Sequence, residues 1–280
     1  MTKIERSRFE EPDAQAFLFE GSTLGVLFLH GFTSTPQSVR TVARRLHDVT
    51  NATVLGPLLS GHGTTPEDLA RTGHLDWVRS AELALEDLLA RCDRVIIGGL
   101  SLGATIALNI AARRPDEIDG VFSINGSTGL YRPEVVAPLY AEGGPDFVPG
   151  IGSDIARHGV REICYDRIPR GTLQHRFLLT NATGALLPLL RARLLIVQSR
   201  TDNVVAPANA THIASSAGSN DIRMVWLSRS LHVATLDHDD GVIAQVLSQF
   251  VTHENTENDQ PMVGCGVLGC DVDPVRGRPR

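Results

Sequence analysis

Gly99-Leu100-Ser101-Leu102-Gly103 sets a serine between glycines two residues away on either side. A serine hydroxyl is a weak nucleophile until a base removes its proton, and that base needs an acid to orient it. The run at 95–98 before the motif is apolar and β-branched, and 102–113 after it is rich in small apolar residues. Ser101 therefore falls on a strand-to-helix turn. Such a turn strains the serine backbone and needs small neighbours, which Gly99 and Gly103 supply. The helix start then aims backbone N–H groups, among them that of Leu102, at the space where an oxyanion would form. Composition alone gives about 0.1 chance matches to the pattern in such a chain, so the weight comes from its position. A plain glycine-rich connection is the competing interpretation.

In a fold that places serine, acid and histidine in that chain order, the base comes last. His232 follows the apolar run 222–227 in Ser228-Arg229-Ser230-Leu231-His232-Val233, on a loop at a strand's C-terminal end. His212 and His238 fall within or beside helices, and His253 borders the tail. Asp202, in Ser199-Arg200-Thr201-Asp202-Asn203-Val204-Val205, follows the run 194–198 at the same end. It is placed to accept the imidazole Nδ1–H. Asp119 precedes its strand and lies at the opposite end, while Asp237, Asp239 and Asp240 open the final helix. His30-Gly31-Phe32 ends the run 24–29. Gly31 lets the backbone come close, so the Phe32 N–H can join that of Leu102 in an oxyanion hole. The bland alternatives are an exposed loop histidine, a turn-forming aspartate and an ordinary tight turn.

The elements that must hold these loops alternate along the chain. Strands are expected at 16–19, 24–29, 53–55, 95–98, 120–124, 194–198 and 222–227. Helices are expected at 36–47, at 75–91 with Asp76 as N-cap, at 102–113 and at 241–251. Alternation of this kind implies a mostly parallel, doubly wound sheet in an α/β fold. Its core would comprise 1–130 and 191–252. Residues 131–190 break the rhythm with recurrent Pro and Gly and no strong strand, the pattern of a cap or lid insertion. The tail, 253–280, is polar and then rich in Gly, Pro and Arg, and is expected to be disordered. Cys265 and Cys270 lie there, a spacing that is weak for metal binding.

Of the 280 residues, 42% are hydrophobic and 21% charged, enough for a sizeable soluble core. The net charge of -6 argues against general affinity for nucleic acid or anionic membranes. Four cysteines without zinc spacing or a secretory segment argue against a disulfide framework. Apolar runs are too short to span a bilayer. A cytoplasmic protein is expected.

Taken together, the motifs resemble those of bacterial carboxylesterases and monoacylglycerol lipases of the α/β-hydrolase superfamily. The stretches that carry the resemblance are Leu-His-Gly-Phe-Thr at 29–33, Gly-His-Gly at 61–63, Gly-Leu-Ser-Leu-Gly at 99–103, Thr-Asp-Asn-Val-Val at 201–205, and His232 with Thr235-Leu236-Asp237. It extends over about 24–251 and is weakest between 131 and 190. The resemblance implies the α/β-hydrolase fold, a Ser101–Asp202–His232 triad, an oxyanion hole from the Phe32 and Leu102 amides, no cofactor and no metal. It also implies an acyl ester substrate and a small cap that shapes an apolar acyl pocket. A thioesterase or lactonase would use the same triad, and a non-catalytic ligand-binding protein could share the fold. One departure concerns the cap, which carries Arg157, His158, Arg161, Arg167, Arg170, His175 and Arg176. These are taken as its solvated face, with contact to a polar or anionic substrate as the alternative.

Overall fold

The computed structural model describes residues 8–129 and 136–253. In chain order the main elements are β1 (Phe17–Phe19), β2 (Ser22–Leu29), α1 (Gln37–Thr50), β3 (Ala52–Gly56), α2 (His74–Leu89), β4 (Arg94–Leu100), α3 (Leu102–Arg113) and β5 (Gly120–Ile124). They continue with β6 (Phe147–Pro149), β7 (Arg167–Pro169), α4 (Arg170–Leu186), β8 (Arg193–Ser199), α5 (Ala208–Ser216), β9 (Ile222–Leu227) and α6 (Asp240–Thr252). Seven strands form one sheet in the order β1-β3-β2-β4-β5-β8-β9. All neighbours pair in parallel except β1, which runs antiparallel to β3 at the edge. β6 and β7 form a separate antiparallel pair.

Strand period and helix period meet in two cores, one on each face of the sheet. Along β4, Val95 and Ile97 belong to one core, while Ile96 between them belongs to the other. β8 divides in the same way: Leu194 and Ile196 face the first core, Leu195 and Val197 the second. Successive side chains of a strand must point to opposite faces, so a strand covered on both sides becomes continuously apolar. Val39, Val42 and Leu46 of α1, with Ile243, Leu247 and Phe250 of α6, cover one face. Trp77, Leu85 and Leu88 of α2, with Ile106 and Ile110 of α3, cover the other. The doubly wound arrangement read from the alternation is thus the one observed.

Two local expectations need correction. The N-cap of α2 is Gly73, and Asp76 sits inside the first turn, where its carboxylate accepts the Gly73 amide at 2.8 Å. The stretch 131–190 is less irregular than its sequence suggests, since it contains the 17-residue helix α4. The buried positions of α4 are Thr172, Arg176, Phe177, Leu179, Thr180 and Thr183, so polar residues interrupt the apolar ones on its inward face and no continuous apolar stripe marks it. Thr183 accepts a hydrogen bond from Asn109 of α3 at 3.2 Å, which explains how such a mixed face can pack. Residues 254–280, with Cys265 and Cys270, lie outside the described residues, as does the start of the expected insertion up to residue 135.

Candidate active site

The centre of the site is the junction of β4 and α3. Ser101 has φ 55° and ψ −114°, a region that non-glycine residues rarely occupy, and Leu102 starts α3 directly after it. The two glycines explain how the chain passes. A Cβ at Gly103 would stand 2.3 Å from the Leu29 carbonyl oxygen, and one at Gly99 would stand 2.5 Å from the same atom. Leu29 is paired with Gly99 at the end of β2, so β2, β4 and α3 meet there backbone to backbone. Gly31 acts differently. A Cβ there would lie 3.7 Å from the Ser101 Cβ, an ordinary contact, so this glycine leaves room beside the hydroxyl without being forced by a clash.

Three loops converge on the hydroxyl. His232 Nε2 lies 2.9 Å from Ser101 Oγ, and His232 Nδ1 lies 2.8 Å from Asp202 Oδ2. Asp202 Oδ1 accepts the amides of Val204 at 2.9 Å and Val205 at 2.7 Å. An ionised carboxylate only accepts, so Nδ1 carries the imidazole proton and Nε2 offers its lone pair to the serine. The Asp202 side chain is fully shielded from solvent and that of His232 nearly so.

Residues outside these three hold the loops in place. Asp154 Oδ2 accepts the His232 amide at 3.0 Å and the Asn203 amide at 3.2 Å, and its Oδ1 accepts Asn203 Nδ2 at 2.8 Å. Asn125, left-handed at φ 49°, donates from Nδ2 to the His232 carbonyl at 2.7 Å and accepts the Ser199 amide at 2.8 Å. Asp237 accepts the Leu231 amide at 2.9 Å and the Ala156 amide at 2.8 Å, so it ties the histidine loop to the 136–190 segment instead of opening α6. The helix begins at Asp240, as its sequence suggests.

A cavity of about 30 Å³, with room for a water or two, lies beside Ser101 and His232. Gly31, Phe32, Glu162 and Arg176 are among its lining residues, with Ile151 and Gly152 at the exposed side. Among the described residues, the amides of Phe32 and Leu102 donate to no protein group, the state an oxyanion site requires. Burial raises the Glu162 carboxyl above the usual range, against the opposing pull of Ser34, His232 and Cys164. Below the pocket, burial and the neighbouring His62 lower His30 to about 3, and burial lowers His62 to about 4. Both are neutral structural imidazoles, and His30 Nε2 accepts the Leu59 amide at 3.1 Å.

Ser101, Asp202, His232, Gly31, Phe32, Gly99, Leu102 and Gly103 are all brought to one sheet edge. Asp154, Asn125 and Glu162 carried no signal in the chain, because each acts through contacts made far away in sequence. Arg176 reads as part of a solvated face but is buried, 8% exposed. Of the other six charged residues singled out in that stretch, His158 and Arg161 are exposed, and Arg157, Arg167, Arg170 and His175 are half-buried.

The profile of the alpha/beta hydrolase family matches residues 26–245. The chain belongs to this family. This α/β hydrolase is 37% identical over 238 residues to the thermostable monoacylglycerol lipase of Bacillus sp. (strain H-257), covering 85% of this chain and 94% of that protein. It is 27% identical to a carboxylesterase of Bacillus subtilis (strain 168), covering 84% and 95% of the two. A solved structure from work on LipS and LipT, two metagenome-derived lipolytic enzymes, superposes with a TM-score of 0.83 at 36% identity, over 86% of this chain and 98% of that one. The family read from the motifs is therefore the one found. Among the described residues, no helix of this α/β hydrolase is long and apolar enough to cross a membrane.

Proposed function

We propose that this enzyme hydrolyses carboxylic esters with Ser101 as nucleophile, His232 as general base and Asp202 as the acid that orients it. The observation that carries the reading is the unbroken chain from Ser101 Oγ to His232 Nε2 at 2.9 Å and from His232 Nδ1 to Asp202 at 2.8 Å. The relatives named monoacylglycerol lipase and carboxylesterase support an ester as substrate.

His232 takes the hydroxyl proton as Ser101 Oγ attacks the ester carbonyl, and the Phe32 and Leu102 amides receive the oxyanion. Collapse of the tetrahedral species breaks the ester bond, and His232 gives its proton to the departing alcohol. Water then attacks the acyl-enzyme by the same route, which frees the acid and restores the serine. Asp202 stays ionised throughout and stabilises the imidazolium. The 136–190 segment serves as the cap over the pocket. With room for only a water or two, the pocket admits an acyl chain when side chains at the exposed edge, such as Ile151, give way.

A fluorophosphonate probe followed by peptide mapping tests the assignment. Label is expected on Ser101 alone. Ser101→Ala should abolish it and lower turnover of p-nitrophenyl butyrate by about 10⁴-fold or more. Label on another residue, or an active Ser101→Ala variant, would sink the reading.

A further inference from the structure

Arg176 points to the substrate class. It projects from α4, is 8% exposed and lines the cavity that Ser101 and His232 share. Among the described residues, no carboxylate lies within salt-bridge distance of its guanidinium and no protein group accepts a hydrogen bond from it; its one close partner is the Phe177 ring, 5.4 Å from the centroid. Other arginines of the same segment are satisfied. Arg157 pairs with Asp240 at 3.0 Å, Arg167 pairs with Glu67, and Arg170 donates to the Ala141 carbonyl at 2.8 Å. A guanidinium has five donors and no acceptor, and those of Arg176 open on the cavity beside Ser101 instead of on a protein acceptor.

Among the described residues, Glu162 and His232 are the other ionisable side chains that line the cavity. The neighbours of Glu162 are Ser34, Cys164 and His232, so it does not neutralise the arginine. Asp202 acts on Arg176 only as a more distant charge. Burial lowers the guanidinium to about 10, which leaves it cationic at neutral pH.

We propose that Arg176 receives a free carboxylate on the substrate, so that the enzyme prefers esters carrying an anionic carboxyl group a few bonds from the scissile carbonyl. This rests on the hydrolase reading above. A planar guanidinium with open donors matches a carboxylate in a bidentate pair, and in a water-poor cavity the pair discriminates strongly against a neutral isostere. The carboxylate could sit on the acyl side or the alcohol side of the ester, and the substrates below separate the two.

The test compares kcat/KM for two matched pairs: monoethyl adipate against ethyl hexanoate, and 4-acetoxybutanoate against butyl acetate. The wild type is expected to favour the charged member of one pair by about tenfold or more. Arg176→Met should cut kcat/KM for that member by about 10- to 100-fold, mainly through KM, and collapse the ratio, with Arg176→Lys restoring part of it. A wild type that favours the neutral ester in both pairs overturns the proposal, whatever the variants do. So does a parallel loss on charged and neutral esters in Arg176→Met with a displaced pH–rate profile, which would make Arg176 a counter-charge for Asp202. Absence of turnover on all four esters, with no fluorophosphonate label on Ser101, would instead mark failure of the hydrolase reading.

Discussion

Asp154 Oδ2 accepts the backbone amide of His232 at 3.0 Å, a bond that links the 136–190 segment to the loop bearing the proposed base. The same carboxylate holds Asn203, next to Asp202, and the Asp154 carbonyl accepts the Val233 amide at 3.0 Å. One residue therefore fixes the acid loop against the base loop, although it touches neither reacting group.

Removing that clamp should loosen the imidazole without removing it. Asp154→Ala is expected to lower kcat by about 10- to 100-fold with little change in KM, since small misplacements of a catalytic group are costly. Steady-state kinetics on p-nitrophenyl butyrate read the split. An unchanged kcat would show that the sheet positions the two loops without help.

The Asp202 carboxylate gives a sharper test, because its two oxygens have different partners. Oδ1 is held by the Val204 and Val205 amides, so an asparagine at 202 would turn its carbonyl to them. Its NH₂ would then face His232 Nδ1 and donate to it, which moves the imidazole proton to Nε2 and leaves no base beside Ser101. Asp202→Asn should therefore fold normally, bind substrate and lose about 10⁴-fold in kcat. A loss below tenfold would refute this role.

Gly103 bears on the fold itself. A Cβ there meets backbone atoms, the Leu29 carbonyl at 2.3 Å and the His30 carbonyl at 2.7 Å, which no rotamer change can relieve. Gly103→Ala should destabilise the protein by roughly 3 kcal/mol, at the upper end of overpacking costs, or prevent soluble expression. Gly31→Ala, with its nearest contact at 3.7 Å, should fold, and the added methyl should lower activity by crowding the space beside Ser101. Urea denaturation of both variants checks the contrast, and equal stabilities would contradict it.

These contrasts show where the sequence speaks and where it falls silent. Ser101, Asp202 and His232 follow strands with plain apolar runs, and chain order fixes which end of the sheet they reach. Leu102–Arg113 is likewise legible, because small apolar residues after a glycine-flanked serine demand a buried helix. α4 is not legible. Its inward face mixes Phe177 and Leu179 with three threonines and Arg176, held by partners such as Asn109, 74 positions before Thr183, and hydrophobic periodicity reads such a mixed face poorly. Asp154 and Arg176 are hidden for a related reason. Exposed and buried arginines look alike in a sequence, and only tertiary packing tells the paired Arg157 from the unpaired Arg176.

The two imidazoles beneath the pocket lead to a prediction about acid stability. His62 Nδ1 lies 3.0 Å from the Ser60 carbonyl, so it donates, and its Nε2 is buried with no partner among the described residues. The ring packs between Phe32, Trp77 and His30, where a charge would be poorly solvated. Burial accordingly lowers its folded-state pKa to about 4, against 6.5 for the exposed side chain. Between these values the unfolded chain binds the proton and the folded one does not, so stability rises with pH across the window and falls on acidification through it. His30, lowered to about 3 by burial and then by His62, extends the same trend to lower pH. Acidification from pH 7 to pH 4 should therefore remove on the order of 3 kcal/mol through His62. His62→Gln keeps a polar group of similar reach but cannot take up a proton there. Urea titrations of wild type and His62→Gln at pH 7 and pH 4.5 should show a smaller acid loss in the variant. Identical losses would mean that His62 titrates normally and that carboxylates elsewhere set the acid limit.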